Sequence, residues 1–237
     1  PLEMGHSSHI QQLGPGISNA TEVLGRNPRI ESTEETTMRI LCAVDGSECS
    51  QWGVQTLGTL AEREPEHVAL LHVINKPLLQ TAKGRSLPVE KRALNAMEQA
   101  GHLILREAER SAKVALGQGA TAPSTAFHQM LAYGPIAPTI AQQARRWRAD
   151  LILMGSRGLS DIKGFLLGSV SRHVASSASC SVLIVKQPCS VLRRVTLAVD
   201  DSKPSRAAAR FLRSEILSDS ATVTILSSAE SPVSDLA

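Results

Sequence analysis

The sequence predicts an α/β fold, a five-stranded parallel open sheet of Rossmann-like type, followed by a partial second copy of the same unit. Three observations predict it. Short apolar runs alternate with helical periodicities across residues 38–187. The runs are continuous rather than alternating, as strands covered on both faces are. A glycine-rich turn joins the fourth run to a helix. Strand and helix in strict succession imply parallel strands joined by right-handed crossovers.

The elements follow in order. Residues 38–44 (MRILCAV) form the first buried strand. A helix over 47–64 carries Val54, Leu57 and Ala61 on one face, with Ser47 as its cap. Residues 67–74 (HVALLHVI) are the second strand, and a loop with Pro77 and Gly84 follows. A long helix over 87–116 has the stripe Leu94, Met97, Gly101, Leu105, Ala108 and Ala112, and it ends at Gly117 and Gly119. The third strand, 125–133, is less regular because His128 and Gln129 lie inside it. Gly134 and Pro135 open a helix whose face is Ile136, Ile140, Ala144 and Trp147. Residues 150–154 (DLILM) are the fourth strand, 170–177 a helix with Val174, and Ser181 to Lys186 (SVLIVK) the fifth strand.

Three domains are expected. Residues 1–36 are rich in Gly, Ser, Asn and Pro without periodicity and read as a disordered arm. Its His6 and His9 lack further ligands nearby, so no metal site is read there. Residues 38–187 are the main domain. Residues 193–237 repeat its opening: RILCAVDGS at 39–47 returns as RVTLAVDDS at 194–202, followed by one helix and one strand. A strand–helix–strand unit buries too little to stand alone. It therefore packs on the first domain, pairs with another chain or stays loose.

Composition narrows the function classes. The net charge is +3, and only six residues are aromatic (two Trp, one Tyr, three Phe), so a stacking surface for nucleic acid is not expected. The sequence has no apolar run of membrane-spanning length and no secretory leader pattern, and a cytoplasmic location is expected. Cys42, Cys49, Cys180 and Cys189 show no C-x-x-C spacing and read as free thiols.

The most informative stretch is Met154-Gly155-Ser156-Arg157-Gly158, nine residues, then Gly168-Ser169-Val170. Glycines at a strand end let backbone N–H groups approach a polyanion. A helix beginning at Ser169 would offer its amides and dipole to phosphate. Arg157 and Lys163 add positive charge. No P-loop pattern occurs, and the dinucleotide fingerprint belongs on a first strand, not a fourth.

This stretch, with the opening ILCAVDGSECS, the segment LLHVI and the closing CSVLIVK, resembles the universal stress protein family, and its glycine motif resembles the ATP-binding branch. The resemblance implies the adenine nucleotide alpha hydrolase-like fold and ATP, with Mg²⁺, as cofactor. It implies that Asp45 lies near the ribose or metal-bound phosphates and that Val73 contacts adenine through its backbone. Gly155, Gly158, Gly168, Ser169 and Val170 would form the phosphate cradle, and Met154 and Arg157 are expected to bind the cofactor beside it. It also implies a homodimer through the fifth-strand edge, Ser181 to Lys186. The second copy lacks the glycine motif and is expected to bind no nucleotide. No catalytic base accompanies the motif, and His173, near it, reads as a surface side chain. Three functions stay open: a regulatory or stress-response ATP-binding module, a slow ATPase or self-phosphorylating enzyme, and a protein-interaction module without nucleotide.

Overall fold

In a computed structural model, the described residues are 10–13, 17–21, 38–60, 65–75, 88–117, 125–158, 167–189, 192–200, 202–212 and 221–227. Chain contacts divide it into two units, 34–190 and the pair of segments 1–33 and 191–237.

Before the larger unit come two short strands, β1 (Ile10–Leu13) and β2 (Ile17–Thr21). The larger unit runs β3 (Arg39–Ala43), α1 (Glu48–Gln55), β4 (His67–Ile74), α2 (Pro88–Ala115), β5 (Ala126–Tyr133), α3 (Ile136–Trp147), β6 (Leu151–Gly155), α4 (Ser169–Ser177) and β7 (Ser181–Val185). All five strands are parallel, in the order β5-β4-β3-β6-β7. The chain winds outward from β3 to β5, then returns to the other side of β3 for β6 and β7. The direction reverses between β3 and β6, and the crevice beyond their carboxyl ends is where such sheets bind ligands.

Strand periodicity decides which side chains meet which helices. Leu41, Ala43, Ala69, Leu71, Ile152 and Met154 pack with Ala137, Ile140 and Ala144 of α3 and Val174 of α4. The alternate residues Ile40, Cys42, Val68, Leu70, Leu151 and Leu153 are equally buried on the opposite face, where α1 and α2 lie. The continuous apolar runs thus reflect a sheet covered on both sides.

The helix expected over 47–64 ends early. After Gln55 the chain tightens into a 3₁₀ turn at Thr56–Thr59, and residues 61–64, including Ala61, lie outside the described residues. The Thr56 hydroxyl donates to the Trp52 carbonyl at 2.8 Å, and the Ala115 carbonyl packs against the bare Cα of Gly58. The stripe on α2 is buried at Gly101, Leu105, Ala108 and Ala112, but Met97 is 47% exposed.

In the smaller unit, β8 (Arg194–Val199), α5 (Lys203–Phe211) and β9 (Thr222–Ser227) follow one another, with β8 and β9 parallel. The sheet order is β1-β2-β9-β8. Here the structure corrects the disordered arm: its residues 10–13 and 17–21 are strands, and β2 pairs antiparallel with β9 from Ser18↔Ser227 to Thr21↔Thr224. Backbone pairing with a strand two hundred residues away supplies order that local composition does not announce. The remainder of that arm lies outside the described residues. The N-terminal strands thus extend the sheet of the strand–helix–strand fragment.

Candidate functional site

A cleft of about 240 Å³ opens at the carboxyl ends of β3, β4 and β6. At about 30 Å³ per water molecule in the liquid, it is roomy enough for a ring system rather than a single ion. Its walls are Asp45 after β3, Val73 on β4, Ile136 and Ile140 on α3, and Val170 on α4, with the Gly155–Gly158 turn along one side. The apolar members also pack on the core, so the wall facing a ligand is held in place by the sheet.

Asp45 is fixed by its own turn. The Ser47 amide donates to its Oδ1 at 2.9 Å, and the Ser47 hydroxyl accepts from the Ser50 amide at 3.2 Å. The expected cap is therefore Ser47, and Asp45 stands two residues before it, half-buried at the cleft. Gly46 completes the turn with φ +82°, a value that favours glycine. Across the cleft, a Cβ on Gly158 would lie 2.5 Å from Asp45 Oδ2. The carboxylate and the glycine turn are thus in direct apposition.

The turn after β6 is pinned at Ser156. Its amide donates to the Val185 carbonyl at 2.8 Å, and its carbonyl accepts from the Gly168 amide at 2.8 Å and the Ser171 hydroxyl at 2.9 Å. These bonds bring the two halves of the glycine motif together. They also separate roles that the sequence grouped. The Gly168 amide closes the loop, so Gly168 contributes as the cap of α4. Its φ of −69° and ψ of 162° are open to any residue. No side chain caps the helix there, as none caps α3 at Pro135. The helices after β3 and β8 differ, since Ser47 and Ser202 cap them by accepting from Ser50 and Ser205 amides. The first-turn amides of α4 are therefore left to an external acceptor.

Seven expected site residues, Asp45, Val73, Met154, Gly155, Arg157, Gly158 and Val170, line the cleft. Gly168 and Ser169 do not line it. Gly168 is buried and Ser169 exposed, at the start of α4. Gly155 serves the protein itself, because a Cβ there would lie 2.5 and 2.6 Å from the backbone C and O of Cys49 in α1. Lys163 lies outside the described residues. His173 is exposed, with Nδ1 2.8 Å from the Ser169 carbonyl one turn back, and it does not line the cleft. Sequence reasoning missed His72, Ile136, Ile140 and Ser171 as lining residues. Ile136 and Ile140 were legible only as a core stripe, and His72 as a strand residue. His72 Nδ1 lies 2.8 Å from the Val44 carbonyl, tying β4 to the end of β3.

The model of the Universal stress protein family matches residues 36–186, which spans the whole parallel sheet and this cleft. The chain belongs to the universal stress protein family. Universal stress protein YxiE of Bacillus subtilis is 29% identical over 153 residues, covering 62% of this chain and 98% of that protein. Universal stress protein MJ0531 of Methanocaldococcus jannaschii is 28% identical over 163 residues, covering 68% and 89%. Among solved structures, a universal stress protein from Archaeoglobus fulgidus DSM 4304 superposes with a TM-score of 0.56 at 25% identity, covering 74% of this chain and 61% of that one. UspA from Lactobacillus plantarum, at 22% identity and a TM-score of 0.51, shares the fold. No helix among the described residues is long and apolar enough to cross a membrane.

Proposed function

We propose that this universal stress protein domain binds an adenine nucleotide in the cleft, with ATP accompanied by Mg²⁺ as the ligand, and acts as a regulatory binding module. The observation that carries the reading is the bare start of α4, uncapped at Gly168, beside an apolar cleft with Asp45 on its other side. The base fits the slot of Val73, Ile136, Ile140 and Met154. The phosphates fit the amides of the α4 first turn, with Arg157 adding charge. A carboxylate facing a polyphosphate repels it unless a cation stands between. Mg²⁺ commonly takes one or two protein carboxylates and fills its shell with phosphate oxygens and water, which suits Asp45 as a single protein donor. A dimer through the β7 edge belongs to the same reading.

The test is calorimetric titration of ATP–Mg²⁺ into the protein and into Ser169→Asp, followed by assay for released ADP. The added carboxylate occupies the first turn of α4 electrostatically while favouring the helix itself. Saturable binding by the parent, at least about tenfold weaker in the variant, with ATP intact afterwards, supports a binding module; tenfold corresponds to about 1.4 kcal/mol. ADP formed at ordinary enzymatic turnover would make the protein an ATPase instead. A folded parent that takes up no nucleotide would end the reading.

A further inference from the structure

At the opposite end of the sheet from the nucleotide cleft, His67 and His128 face each other. His67 opens β4 and His128 is the third residue of β5. In the register His67↔Ala126 and Ala69↔His128 they are diagonal neighbours on one face. His128 Nε2 lies 3.4 Å from His67 Nδ1, with the ring centroids 5.5 Å apart. Two imidazole nitrogens bound 2.0–2.1 Å from one tetrahedral ion stand about 3.3–3.4 Å apart, so the pair has the separation of two ligands on one metal. Glu66 Oε2 lies 3.9 Å from the other nitrogen of His67, Nε2. The two facing ring nitrogens, His67 Nδ1 and His128 Nε2, share a hydrogen bond at 3.4 Å, and an ion seated between them takes the place of the shared proton.

From this geometry we infer a second site, a two-histidine anchor for a borderline divalent cation of the zinc and copper class. Imidazole donors favour these ions over Mg²⁺ or Ca²⁺, which prefer oxygen. The described residues contain no cluster of three or more candidate ligands, so water or an external group completes the coordination. His67 is half-buried and His128 exposed, which leaves the anchor open to such a group. Its neighbours are Trp147, whose ring centroid is 6.0 Å from that of His128, and Arg39, stacked 4.6 Å above the Trp147 ring. The Arg39 charge thus rests on the indole. A site with two protein ligands binds in the range of exchangeable rather than structural metal.

Trp147 makes the inference testable, because Cu²⁺ bound this close quenches indole emission. The chain has two tryptophans, so the full-length Trp52→Phe protein reports on Trp147 alone. Titration with CuCl₂ is expected to quench emission saturably, and excess ZnCl₂ to reverse it. In the Trp52→Phe background, His128→Gln and His67→Gln should each raise the midpoint by about tenfold or more, since even outer-shell partners alter metal affinity by 10–100-fold. A His6→Gln/His9→Gln control in the same background should titrate like its parent. Circular dichroism identifies any variant that has lost its fold, and exposed His128 is the substitution least able to disturb it. Quenching that never saturates, or that is unchanged in His128→Gln, overturns the inference.

Discussion

At the scale of single residues, two glycines of one motif carry different duties. A Cβ on Gly155 would press on the backbone of Cys49 and Ser50, at 2.5–2.8 Å, and α1 as a whole would have to retreat. One on Gly158 would press on Asp45 Oδ2, the end of a side chain rather than the backbone of another element. Gly155→Ala is therefore expected to lower the urea midpoint by the equivalent of about 1–3 kcal/mol, the usual cost of overpacking. Gly158→Ala should lower the midpoint less, since it disturbs one side chain and its Ser47 bond, yet weaken ATP–Mg²⁺ binding, because it displaces the carboxylate. Equal loss of stability in both variants would refute this division. The sequence exposed both positions, but the partner of each missing side chain lies on another element and has no local sign.

Cys42 carries a pH consequence at the same scale. Burial in the sheet pushes its thiol from 9.0 up to about 12, since thiolate is poorly solvated there. Between those values the unfolded chain releases a proton that the native state retains. This contribution to stability is whole below pH 9 and is lost as pH rises toward about 12. In urea unfolding at stepped pH, Cys42→Ala is expected to decline less steeply over that window than the parent. The same burial should keep Cys42 unreactive toward a thiol reagent at pH 8 until the protein unfolds. Prompt labelling of Cys42 in the native protein would contradict it.

At the scale of elements, the strands were legible because each buried run is short, continuous and bounded by turn residues. The strand–turn–cap unit was legible too, and the turn before α5 makes the same hydrogen bonds as the turn before α1. Asp200 Oδ1 accepts from the Ser202 amide at 3.1 Å and Ser202 Oγ from Ser205 at 3.2 Å, matching Asp45, Ser47 and Ser50. What the cap chemistry adds is contrast: α1 and α5 are closed by serine, while α3 and α4 have no side-chain cap, and of these two starts the one of α4 follows the glycine turn. That contrast makes Ser169→Asp informative, since a first-turn acid should raise stability by about 0.3–1 kcal/mol while opposing phosphate. Two features stayed hidden. The early end of α1 depends on α2 lying over Gly58, and β1 and β2 depend on β9. Each is a tertiary effect that a reading of local periodicity cannot carry.

At the scale of the whole molecule, the sequence announced parallel strands but not their order, and the proposed dimer would rest on the β7 edge. Val185 gives its carbonyl to the Ser156 amide, so the backbone of Ser181, Leu183 and Val185 faces β6. By strand alternation the N–H and C=O groups of Val182 and Ile184 point outward. An edge with unpaired groups is a template for another strand. A second copy placed antiparallel across a two-fold axis would satisfy Val182 and Ile184 in both chains. Hydrogen exchange should therefore find these two amides protected at concentrations where sedimentation velocity finds a dimer, and exchanging once dilution yields the monomer. A dimer in which both amides exchange freely would place the interface elsewhere, and a monomer at all concentrations would remove it.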